Sequence, residues 1–171
     1  KNLVNKINPD YNYSTIIPIE KERSIMPGIF RVQMPKKNQI GMHCGNQFNG
    51  QFMSFYKHID STLENINQLS YFFMLQKPDK GGELTLFNYS WREFLKKHTK
   101  NMDEAIMRKV VMANDKGRRK LLMENGDLLV FQGGDIFHRV EQVYGKKSRV
   151  TFGGHFRFSK KEENKSIYTY A

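Results

Sequence analysis

His58-Ile59-Asp60, a later lone His138 and then Arg149 are the residues of this chain whose types and spacing could do chemistry. Two imidazoles and one carboxylate on three corners of an octahedron hold Fe(II) and leave three positions open for a cosubstrate and O₂. His58 and Asp60 sit at i and i+2, which at a strand end turns both side chains to one face. The third ligand must come from a distant strand, and His138 follows the turn-then-strand run Gly126 to Phe131 and the Gly133-Gly134 break. Arg149 opens another strand-like run, Arg149-Val150-Thr151-Phe152, and its planar fork matches a carboxylate as a lysine ammonium does not. Thr151, two residues on, shares that face and has a hydroxyl to add.

Strands must position these residues, and the pattern predicts them. Residues 1–27, with Pro9, Pro18 and Pro27, read as an extended arm with one edge strand. Gly28–Met34 alternates as a strand, 40–50 is a Gly- and Asn-rich loop or bulged stretch, and 51–58 alternates again and delivers His58. Gln68–Gln76 is the most apolar strand; the turn Lys77–Gly82 leads into a neighbouring strand over 83–89. Apolar positions over 92–109 predict a helix, and 110–123 a short strand, a basic turn and another strand. Strands over 127–131, 139–143 and 148–158 follow, and residues 161–171 read as a polar C-terminal tail. Seven or eight closely spaced strands with little helix predict a mainly β fold. A jelly roll, the cupin-like double-stranded β-helix, with one or two accessory helices over 28–160, brings ligands from separated strands to one barrel mouth.

In this order the motifs resemble the Fe(II)- and 2-oxoglutarate-dependent dioxygenase superfamily, from about Phe52 to Phe158. The resemblance implies Fe(II) held by His58, Asp60 and His138, with Arg149, aided by Thr151, gripping the far carboxylate of 2-oxoglutarate. It implies O₂ as oxidant, succinate and CO₂ as products, and hydroxylation of an unactivated C–H bond. The stretch Gln68–Trp91, with Gly81-Gly82-Glu83-Leu84, is similar to the branch of amino-acid hydroxylases and halogenases, which implies a free or peptide-bound amino acid as substrate.

A second motif competes. His43-Cys44-Gly45 reads as His-X-Gly, the pattern in related halogenases where a missing carboxylate leaves room for halide. His43 lies in the Gly- and Asn-rich stretch, farther from the apolar strand than His58, so the hydroxylase reading is preferred. Cys44 beside His43 lacks the second ligand pair that a zinc site needs. His155 is expected to line the barrel or fill space, Tyr89 and Trp91 to pack the core, and 92–120 to be a lid or substrate-recognition element. The net charge of +11 raises a nucleic-acid demethylase, but the basic residues are scattered, and Arg157, eight residues after Arg149, fits that class poorly. A non-catalytic jelly-roll binding module would have no physical need of all four site residues. One cysteine fits a reducing compartment, and no apolar run approaches the roughly 20 residues of a membrane span. The expectation is a cytoplasmic enzyme acting on a small molecule or peptide.

Overall fold

The computed structural model describes residues 14–20, 22–37, 40–48, 68–99, 102–158 and 166–171. The strand expected over 51–58, with His58 and Asp60, lies outside the described residues. In chain order the strands are β1 (Ser14–Ile16), β2 (Ile19–Glu20), β3 (Arg23–Ser24), β4 (Ile29–Gln33), β5 (Ile40–His43), β6 (Leu69–Gln76) and β7 (Lys80–Gly81). They continue with β8 (Leu84–Ser90), β9 (Arg119–Leu121), β10 (Leu128–Phe131), β11 (Ile136–Val140), β12 (Val143–Tyr144), β13 (Arg149–Phe158) and β14 (Ser166–Tyr170). Helices α1 (Trp91–Leu95) and α2 (Glu104–Asn114) follow β8, and a 3₁₀ turn (Gly45–Phe48) follows β5.

The larger sheet is built on β13. On one edge β6 runs antiparallel to it; on the other, β4 pairs with Arg149–Gly153 and β14 with His155–Phe158. β10 extends the sheet beyond β6, and β1 extends it, in parallel, beyond β14. The smaller sheet has the antiparallel order β5-β11-β8-β9. The two sheets make the jelly roll that the sequence predicts.

Strand periodicity then assigns faces. Ser70 and Met74 of β6 lie opposite His155 and Thr151 of β13, while Gln33 and Arg31 of β4 lie opposite Arg149 and Thr151. These share the inner face; Phe30, Val32, Phe73, Val130 and Phe152 share the outer one. The usual order is inverted here, for Phe30 is 70% and Val32 57% exposed while Arg149 is 2% exposed.

The apolar core sits on the smaller sheet and the helices. Phe94 of α1 stacks on Trp91 at 5.3 Å and meets Phe137 of β11 edge-on at 6.1 Å, and Met107 and Val111 of α2 bury into the same cluster. Trp91 and Tyr89 are core residues, as expected.

Several boundaries differ from expectation. The single helix over 92–109 is two, because each has its own start: Ser90 and Glu93 form a capping box on α1, and Asp103 accepts from the Ala105 and Ile106 amides on α2. The strand expected near Val110 is the end of α2, whose Val111 faces the core. Residues 40–43, expected as loop, form β5. The expected polar tail forms β14, which buries Ser166, Ile167 and Tyr170 against β13.

Candidate metal and cosubstrate site

β5 and β11 pair so that His43 and His138 are direct cross-strand partners, which puts both imidazoles on one face. Their ring centroids are 4.4 Å apart. The pairing of β11 shifts register on either side of His138, the irregularity by which a strand re-aims one side chain. Each ring contacts the carbonyl oxygen two residues earlier through Nδ1, His43 with Gly41 and His138 with Ile136, both at 2.8 Å. A carbonyl only accepts, so both Nδ1 atoms carry hydrogen and both Nε2 lone pairs are free. Metal-ligating histidines are oriented by this kind of outer hydrogen bond. Burial pushes His138 down to about 3, and lowers His43 as well, so both rings are neutral and able to donate to a cation. Phe131 meets His138 edge-on at 5.0 Å and holds its plane.

Two residues after His43 there is no side chain. A Cβ on Gly45 would lie 2.4 Å from Gln68 Nε2, so the position that carries the carboxylate of a His-X-Asp motif is closed to one by the Gln68 amide. Cys44 is fully buried and its thiol is pushed up to about 12 by burial, which makes it a core residue. Among the described residues no three His, Cys, Asp or Glu side chains are placed to hold a metal ion, so the histidine pair supplies two ligands. His58 and Asp60, expected as ligands, lie outside those residues.

Arg149 is the first residue of β13, on its inner face. Its Nη1 donates to Gln33 Oε1 at 3.1 Å and to Thr151 Oγ1 at 3.4 Å, which brings Arg149 and Thr151 together. Its Nε and the Gln33 Nε2 are buried with no partner, and among the described residues no carboxylate pairs with it. Burial first, and then the charge of Arg31, pushes it down to about 10. A buried cation with idle donors, a second cation near it and no carboxylate partner among the described residues is a site for an anion. The donor set therefore fits a 2-oxoglutarate carboxylate at Arg149 and a metal at the two Nε2 atoms. Gly81-Gly82 shapes this end: both have positive φ, a Cβ on Gly81 would meet the Gln142 carbonyl at 2.0 Å, and one on Gly82 would press the Arg149 Cδ at 3.0 Å.

Farther along the inner face, His155 is set by a relay. Tyr170 Oη–H donates to Gln68 Oε1 at 3.0 Å, so the Gln68 amide nitrogen faces His155 Nδ1 at 2.7 Å and can only donate to it. His155 thus accepts at Nδ1 and keeps its hydrogen on Nε2. Burial, then the Arg31 charge, pushes its pKa down to about 3.

Gln33, Arg31 and Gln68 were not singled out from sequence. The signal for the first two was the alternation of β4 itself, which sends Arg31 and Gln33 to the face opposite Phe30 and Val32.

Comparison with known proteins gives a family and a fold. The family model described as carrier-protein-independent halogenase WelO5 matches residues 6–171. Among curated proteins none matches the chain. Two solved structures of a Burkholderia ambifaria AMMD protein titled a novel N-substituted L-amino acid dioxygenase share the fold at 18% identity. The one in complex with alpha-KG has a TM-score of 0.55 and covers 88% of this chain and 56% of its own; the other has 0.58, 96% and 61%. The chain thus spans about three-fifths of the length of those proteins. Matched by that family model over nearly all its length and built as a jelly roll, the chain belongs to the carrier-protein-independent halogenase WelO5 family, within the Fe(II)- and 2-oxoglutarate-dependent oxygenases.

Proposed function

We propose that this protein halogenates an aliphatic carbon of a small amino-acid-like substrate, using His43 and His138 as its iron ligands. The observation that carries the reading is the cross-strand His43–His138 pair, with both Nε2 atoms free and a side-chain-less Gly45 closed off by Gln68. Fe(II) with 2-oxoglutarate and O₂ supplies the oxidant that removes hydrogen from the substrate carbon. The chain's own residues do the rest. Gly41 and Ile136 carbonyls fix the ring orientations, Arg149 with Thr151 takes the far carboxylate of 2-oxoglutarate, and Gly45, which brings no carboxylate to the metal, leaves a coordination position that a halide would take.

The second reading is hydroxylation, supported by the His58-Ile59-Asp60 motif and by the likeness in fold to amino-acid dioxygenases. There Asp60 supplies the carboxylate that fills the halide position. One experiment separates the two without knowledge of the substrate. Protein is titrated anaerobically with Fe(II) and 2-oxoglutarate, the visible charge-transfer band of the chelated keto-acid is followed, and chloride is then added. The halogenase reading expects the band to be lost in His43→Ala and His138→Ala, kept in His58→Ala and Asp60→Ala, and shifted by chloride. A band lost in His58→Ala but kept in His43→Ala, with no chloride response, overturns it in favour of hydroxylation.

A further inference from the structure

Arg31 is a cation that the site described so far does not use. It lies on the inner face of β4, opposite Thr151 and one same-face step from Gln33, the partner of Arg149. Its neighbours Phe30 and Val32 turn outward to water, so alternation commits Arg31 to the interior, where it is half-buried. Among the described residues it has no hydrogen-bond or ion-pair partner. Its charge reaches Arg149 and His155 on the same inner face, lowering both.

Charge balance says what it is for. A ferrous dication and Arg149 together are matched by the two carboxylates of 2-oxoglutarate and one further anion, whether halide or side-chain carboxylate. Among the described residues Glu104, whose charge reaches His43, is paired with Arg108, and Arg157 adds a further positive charge near His155, so Arg31 is left without a carboxylate partner beside the neutral rings of His43, His138 and His155. Half-buried charge of this kind is costly unless an anion arrives to meet it.

We infer that Arg31 is the anchor for a carboxylate of the substrate, with the fixed Nε2–H of His155 as a second, neutral donor on the same inner face. This inference rests on the iron and 2-oxoglutarate reading above and deepens it: the substrate class is a small organic acid, such as an amino acid with its carboxylate free, and not a neutral hydrocarbon or an amide. The guanidinium holds the acid end by charge-assisted hydrogen bonds and so fixes which carbon faces the histidine pair.

The test is thermal unfolding at constant ionic strength with propionate and propionamide, two probes of nearly equal shape that differ in charge. It is run on protein loaded with Mn(II) and saturating 2-oxoglutarate, so that Arg149 is already occupied, and in parallel on the metal-free protein. Propionate is expected to raise the midpoint and propionamide not to. Arg31→Gln should raise the half-maximal propionate concentration at least about tenfold, while 2-oxoglutarate affinity stays within about twofold. Arg31→Lys, which keeps the charge and loses the fork, should fall between them, which separates lost recognition from a lost fold. A propionate response unchanged in Arg31→Gln, or absent from wild type in both states, overturns the inference. So does a loss of 2-oxoglutarate binding in Arg31→Gln as large as in Arg149→Met, which would make Arg31 a cosubstrate ligand. Failure of 2-oxoglutarate to stabilise wild type with Mn(II) sinks the proposed function instead, and the metal-free arm then decides Arg31 by itself.

Discussion

Replacing Arg149 by Met should make the ligand-free protein more stable and the cosubstrate bind far less well. The folded protein lowers this guanidinium from 12.5 to about 10, mainly by burial. At about 1.4 kcal/mol for each unit of pKa, the charge costs the fold about 3 kcal/mol. Because the folded value lies below the unfolded one, that cost is present in full at pH 7 and is relieved only as pH rises past about 10. Met removes it but also removes the bonds to Gln33 and Thr151, at about 1 kcal/mol each. The net gain is about 1 kcal/mol, or a midpoint about 2–4 °C higher for a chain of this size. Two charge-assisted bonds to a carboxylate disappear at the same time, which should weaken 2-oxoglutarate by at least about 100-fold. Calorimetric unfolding and anaerobic titration of the keto-acid band read the two effects separately. A ligand-free variant clearly less stable than wild type would mean that Arg149 has a counter-ion within the protein, and the assignment of an anion site would fall.

The buried His155 should make stability acid-sensitive. Its folded pKa of about 3 lies below the ordinary 6.5, so between those values only the unfolded chain takes up the proton. Stability should fall as pH drops from about 6.5 towards 3, by up to about 1.4 kcal/mol per pH unit from this residue. In urea unfolding at several pH values, His155→Phe should lose that share of the slope near pH 5; an unchanged slope would refute the relay through Gln68. Phe94→Ala should cost about 3–5 kcal/mol, because the ring is fully buried between Trp91 and Phe137. A loss under about 1 kcal/mol in the same assay would show that α1 does not close the core.

The parts of the site that sequence makes readable are those held by one strand alone. Arg149 and Thr151 share a face of β13 by their spacing, and the structure joins them by a hydrogen bond. What pattern could not supply was pairing. Ile40-Gly41-Met42-His43 looks like loop because of its glycine, yet β11 needs a partner along that edge, and the resulting register sets His43 opposite His138. Likewise Ser166–Tyr170 reads as polar, but the free half of the β13 edge recruits it as a strand and buries Tyr170 beside Gln68. The helices failed for a local reason, since the apolar spacing over 92–109 is interrupted where one helix ends and Asp103 starts the next.

The inverted faces of β4 have a consequence for how the chain finds its fold. In an ordinary half-buried strand a slip of one residue drives apolar side chains into water, and this keeps the strand in register. Here the same slip against β13 would carry Phe30 and Val32 inward and expel Arg31 and Gln33 to solvent. Apolar burial therefore favours the wrong alignment of β4, and the Arg149–Gln33 bond opposes it. On the reading proposed above, an anion held by Arg149 would reward only the alignment that sets Gln33 beside it, so the cosubstrate would act on this strand's register as well as in the reaction.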